Sequence, residues 1–244
     1  MTTWQVQLEG DVGDLEFLAQ NSLAGPCKVV RDGPQRYLYE SDSFQHCSAS
    51  EEVLQRAVDE LAVLSGILKL ERNAREGLRP GAVYRPNANG GQDIFVHLRE
   101  SVQARVEVGS LGVVVTDDTG EVITRPPPAS RVASLSKLGS VDAAVAKVLR
   151  LLSDRDAMSW VGLYRIYEVI EDDVGGQHKL ENRGWGPKED LKRFKHSANS
   201  VQVGGDNSRH GKEPQAPPKN PMTLADAERY VKLMLNAWLA HKGA

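Results

Sequence analysis

The chain has 244 residues, 40% hydrophobic and 26% charged, enough to bury one large core or two small ones. Its net charge of −3 gives no general attraction to nucleic acid or to an anionic membrane. Two cysteines, Cys27 and Cys47, stand at no metal-binding spacing, so free thiols in a reducing cytoplasm are expected rather than disulfides or zinc.

The opening MTTWQVQLEG lacks a basic region followed by an apolar run, so no signal peptide is expected. No stretch approaches the ~18 apolar residues of a membrane span, so no membrane partner is expected either. Residues 4–8 alternate apolar and polar, which predicts a strand. CKVVRD-GP-QRYLYES places two β-rich runs around Asp32-Gly33-Pro34 and predicts a hairpin. Ser48-Ala-Ser-Glu51 reads as a capping box ahead of a long helix over 50–70, with Val53, Ala57, Leu61, Leu64 and Leu68 on its buried face.

After Arg79-Pro80-Gly81 the period changes to two. VYRP, DIFVHL, ARVEV, GVVVTD and EVITR, separated by Asn/Gly/Asp turn signals, predict an antiparallel meander. His97 in this run reads as a packing or surface residue. Pro126-Pro127-Pro128 reads as an extended linker and sets the expected boundary between domains 1–128 and 129–244.

The second half is helical by periodicity. One helix is predicted over 141–152, with Val141, Ala144, Val145, Val148 and Leu152 on one side. A second runs over 157–172, with Trp160, Leu163, Tyr164, Tyr167 and Ile170 as core. A third follows Gly186-Pro187 from Lys188 to Asn199. A fourth opens after Pro221, capped by Thr223 with Asp226 in its first turn, and continues through Ala227, Val231, Met234, Leu235 and Trp238. The predicted class is α+β: an N-terminal antiparallel sheet with a long helix, then an antiparallel helical bundle.

Between the last two helices lies HSANSVQVGGDNSRHGKE. Residues 178–220 hold nine Lys or Arg against five Asp or Glu, a surplus of four, so the remainder of the chain carries −7. His196 and Asn199 stand one turn apart, Gly204-Gly205 permits a sharp turn, and Arg209-His210 would return toward the third helix. An arginine grips a phosphate through two parallel bonds while a histidine moves a proton, which makes His196, Asn199, Arg209 and His210 candidate catalytic residues. Arg193, Lys195 and Lys212 are candidate anion-binding residues. Asp206 with His196 and His210 matches no metal motif, so neither metal nor cofactor is expected. The same residues also suit an ordinary connector between helices.

WVGLYRIYEVIEDD, RFKHSAN, GGDNSRHG and PKNPMTLADAERYVKLMLNAWL resemble a bacterial family, some members of which carry a methylamine-utilisation label. Over 141–242 the likeness extends to HEPN domains, helical bundles of toxin RNases and abortive-infection proteins. The resemblance implies a homodimer and an accessory or regulatory role, in phage defence among other settings, binding an anionic ligand, RNA or a partner protein. It also implies two alternatives: a metal-independent endoribonuclease using Arg209 and His210, or a scaffold without catalysis. Catalytic members carry Arg-x(4–6)-His, and no Arg stands at that spacing before any of the six histidines. The nearest arrangement, Arg193-Phe-Lys-His196, is two residues too short. Binding or regulation is therefore expected over catalysis.

Overall fold

The computed structural model describes residues 4–21, 26–87, 89–97, 131–209, 212, 216 and 218–244. Over these the chain is α+β, an antiparallel sheet followed by helices. It divides into two compact units. The first holds the described residues up to Val58 and those between Arg79 and Ala133; the second holds Asp59–Leu78 and the described residues of Ser134–Ala244. A single cut at 128/129 would leave Asp59–Leu78 with the sheet, whereas packing joins that segment to the helices. The proline run itself lies outside the described residues, as do the predicted strands at 104–108, 112–117 and 121–125. No helix among the described residues is long and apolar enough to cross a membrane.

In the first unit, β1 (Gln5–Glu9), β2 (Cys27–Arg31), β3 (Tyr37–Ser41), β4 (Arg79–Pro86) and β5 (Gln92–Phe95) form one sheet of order β2-β3-β1-β4-β5. Every pairing is antiparallel. Alternation decides which face is buried. Val6 and Leu8 of β1 lie in the core while Gln5 and Gln7 do not. The predicted hairpin closes with Asp32 N–H donating to the Arg36 carbonyl at 2.8 Å, and Gly33 takes φ +92°. An additional helix, α1 (Val12–Gln20), follows β1. Asp11 caps it by accepting from the N–H groups of Gly13 and Asp14, and Leu15 and Leu18 are its buried face. Cys27 and Cys47 are free thiols.

Helix α2 (Ser50–Arg72) forms where its periodicity predicts, with Val53, Ala57, Leu61, Leu64 and Leu68 all buried. The reciprocal carboxylate at its start is Glu52 rather than Glu51. It accepts from Ser48 N–H at 2.8 Å.

The second unit contains the end of α2, most of α3 (Arg131–Val141), and α4 (Ala143–Ser153), α5 (Trp160–Asp173), α6 (Gln177–Arg183), α7 (Lys188–Asn199), α8 (Val201–Gly204) and α9 (Leu224–Lys242). The helix expected to begin at Val141 is broken there. Asp142 leaves helical geometry and caps α4 by accepting from Ala144 and Val145 N–H, each at 3.0 Å. Val141 thus ends α3 and is exposed, and the buried side of α4 is Val145, Val148, Leu149 and Leu152. The starts of α5 and α9 are capped by Ser159 and Thr223. Helix α5 contacts α4, α7 and α9. Where α5, α7 and α9 meet, Tyr164 and Phe194 stack at 5.7 Å between ring centroids, Tyr167 meets both edge-on, and Tyr230 lies 6.0 Å from Phe194. This aromatic core supports the polar residues described next.

Candidate functional site

Helix α7 buries Leu191, Phe194, Ser197 and Ala198, which leaves Arg193, Lys195, His196 and Asn199 half-buried along its side. At Ser200 the backbone becomes extended and α7 ends. A turn later Gly205 adopts φ +56°, a conformation costly to residues with a Cβ. At Gly204 space is tight, because a Cβ there would stand 3.2 Å from the Trp160 ring and 3.0 Å from Ser208 Cβ. The two glycines together let the chain reverse. Arg209 N–H then donates to the Ala198 carbonyl at 3.0 Å, satisfying one of the acceptors left free at the end of α7.

Once returned, the Arg209 side chain is held by three groups. Its guanidinium lies over the Tyr164 ring, 4.2 Å from the centroid, and donates to Glu168 Oε1 at 2.6 Å and to Asn199 Oδ1 at 3.5 Å. Asn199 in turn donates to the Lys195 carbonyl at 2.8 Å. The fold therefore brings Asn199 and Arg209 together. His196 Nε2 lies 2.9 Å from the Ala216 carbonyl oxygen. A carbonyl only accepts, so that nitrogen carries the proton. His210 lies outside the described residues.

Two of the three other predicted cations are also engaged. Lys195 donates to Gln177 at 2.6 Å, pairs with Glu171 at 3.9 Å and lies 5.3 Å from the Tyr167 ring centre. Arg193 pairs with Asp190 at 3.1 Å and donates to the carbonyls of Asn220 and Pro221, tying down the entry to α9. Lys212 is exposed. Two phenols of the aromatic core, Tyr167 and Tyr230, hold their protons more tightly than a free phenol. Burial first, then the Glu171 carboxylate, pushes Tyr167 well above its ordinary range, and burial with Asp190 and Glu181 pushes Tyr230 to about 12.

Sequence reasoning missed the partners Glu168 and Tyr164. They stand four apart on α5 and share a face, but nothing local marks them as the seat of a residue 41 positions later in sequence than Glu168. It also missed Ser197, fully buried, whose hydroxyl accepts from Met222 N–H at 2.8 Å. Two surface grooves beside α5, of about 530 and 550 Å³, share Leu151 and Arg165. Asp154, Asp156 and Asp206 line one; Glu168, Asp172 and Asp173 line the other. Cations line them too, Arg155 and the shared Arg165 in the first and Lys147 with Arg165 in the second, so three carboxylates face two cations in each. Among the described residues no group of three or more His, Cys, Asp or Glu is placed to hold a metal ion.

Comparison with family models, with curated proteins and with solved structures finds no match.

Proposed function

We propose that this chain is a HEPN-like accessory protein that binds an anionic ligand, RNA in the first instance, without cleaving it. The observation that carries the reading is the pairing of Arg209 with Glu168 at 2.6 Å over the face of Tyr164. A phosphate clamp must offer its guanidinium to the substrate, and here a carboxylate already holds one edge of it. His196, with its Nε2 proton directed to a carbonyl, is likewise not poised to accept one through that nitrogen. Binding asks less of the surface than catalysis does. It needs a local excess of cations, and the surplus of four charges over 178–220 supplies one.

The test is fluorescence anisotropy with labelled single-stranded RNA between about 50 and about 200 mM salt, alongside a gel of the same samples. Affinity that falls with salt while the RNA stays intact is the expected result. Absence of binding at the lowest salt overturns the reading. Degradation that disappears in His210→Ala would instead establish the ribonuclease. Sedimentation at several concentrations tests the homodimer that the same reading expects.

A further inference from the structure

Of the four tryptophans, Trp4, Trp160 and Trp238 are 4%, 4% and 0% exposed, whereas Trp185 is only half-buried. It sits in the turn Gly184-Trp185-Gly186-Pro187 between α6 and α7. Gly184 takes φ +68°, and a Cβ on Gly186 would stand 2.7 Å from the Tyr230 ring. The turn is thus built closely against the helices while its indole remains partly outside.

Arg183 and Lys188 flank that indole, and the His241 ring lies beside it. The Arg183 guanidinium lies over the Trp185 ring, 5.8 Å from its centroid, on an exposed side chain that a stacking ligand would displace; the His241 ring is 5.6 Å away and tilted by 51°, and Lys188 begins the next helix. Arg183, Lys188 and His241 are exposed, and neither Arg183 nor Lys188 forms an ion pair with a described residue. This contrasts with Arg193, Lys195 and Arg209, whose charges are already paired. Glu189 and Asp190, in the first turn of α7, pair with Lys192 and Arg193, and the third carboxylate near the turn is Glu181. It accepts from Gln177 at 2.7 Å and is held below its ordinary range by that bond first and by nearby Lys188 and Lys192. The slot lined by Trp185 with Leu180, Leu191, Tyr230 and Met234 has a volume of about 10 Å³, room for no more than one water. A ligand therefore cannot enter beneath the indole and must lie against its outer surface.

We propose that Trp185 is a stacking platform for an unpaired base of single-stranded nucleic acid, with Arg183 and Lys188 receiving the flanking phosphates. An indole presents a flat, sequence-tolerant surface to a base, and cations at its margin suit the charged backbone that such a base brings with it. The proposal rests on the RNA-binding reading and places the base contact away from Arg209.

The test uses the full chain with a short oligoadenylate, a duplex of mixed sequence and inorganic phosphate as probes, reading intrinsic tryptophan emission and anisotropy. The expected result is quenching by the single strand and not by phosphate, weaker binding of the duplex, and roughly ten-fold or greater loss of affinity in Trp185→Ala. Trp185→Phe keeps an aromatic face, so it should bind within a few-fold of the parent, and it serves if the alanine variant fails to fold. Arg183→Gln with Lys188→Gln should lower the slope of log affinity against log salt by about 1.4. Salt-dependent RNA binding that is unchanged in Trp185→Ala, or equal affinity for duplex and single strand, overturns this proposal and leaves RNA binding standing. Absence of binding by the parent chain overturns both.

Discussion

Gly66 of α2 meets the backbone of Leu149 in α4 so closely that a Cβ on it would stand 1.9 Å from the Leu149 carbonyl oxygen and 2.6 Å from its carbon. Backbone cannot step aside as the end of a side chain can, so the helices would have to separate. Gly66→Ala gains about 1 kcal/mol of helix propensity but forces overpacking that costs about 1–3 kcal/mol, here toward the upper end. Net destabilisation of about 2 kcal/mol is expected. It should appear as a lower denaturation midpoint with an unchanged denaturant slope; a neutral outcome would mean that the helices do not approach so closely.

Ser197→Ala removes the acceptor for Met222 N–H inside the protein, where no water replaces it. The cost of a buried donor left without a partner is about 1–3 kcal/mol. Because this bond pins the entry to α9, hydrogen exchange at Met222 and in the first turn of α9 should accelerate more than exchange in α4. Uniform acceleration would contradict the local role.

Arg209 and Glu168 form a pair with side chains 33% and 43% exposed, so water screens much of the attraction. A double-mutant cycle of Arg209→Met and Glu168→Gln should give a coupling energy of at most about 1 kcal/mol, smaller in high salt. Tyr164→Leu should lower the stabilising effect of Arg209 by a further ~0.5–1 kcal/mol. That part should resist salt better than the ion pair. Coupling that vanishes at every salt concentration would mean that the three groups do not meet in solution.

Lys242 donates to Asp142 and to Asp173, each at 2.8 Å, and Asp173 also accepts from Trp238 at 2.8 Å. Burial opposes the charge on Asp142, but the Lys242 ammonium and the N–H groups of Val145 and Ala144 outweigh it and hold its carboxyl below the ordinary value. A depressed carboxyl stabilises the fold above its unfolded value of about 3.9, and the contribution is lost as pH falls through the lower folded value. For Lys242, burial again opposes the charge and the two carboxylates outweigh it, raising its value. That contribution is complete below about 10.4 and is lost as pH rises through the folded value. Lys242→Met should therefore cost about 1–2 kcal/mol near neutrality. Its stability deficit should shrink at both extremes of pH, as measured by thermal melts across a pH series. A deficit independent of pH would exclude the ionic account.

Much of the helical unit was legible in the sequence because the signals involved are local. The third predicted helix, Lys188–Asn199, forms at those residues since Gly186-Pro187 sets its entry and Leu191, Phe194 and Ala198 recur at its period. Thr223 caps α9 as its chemistry demands. The break at Asp142 was missed because apolar spacing runs on through Val141, and the cap competes with that spacing over a single residue. Helix α6 was missed because it buries only Leu180, too little to make a period.

The sequence by itself thus determined the α+β class, the hairpin at Gly33, the registers of the long helices and the need for a reversal at Gly204-Gly205. These rest on side-chain period, capping and backbone freedom, each a property of neighbours along the chain. Tertiary structure decided which charges are spent internally, that Asp59–Leu78 packs with the helices, and that Trp185 alone among the tryptophans stays half outside. Those outcomes depend on which distant groups meet. The attraction of a guanidinium for Glu168 rather than for a ligand is set by a distance that no spacing in the sequence encodes.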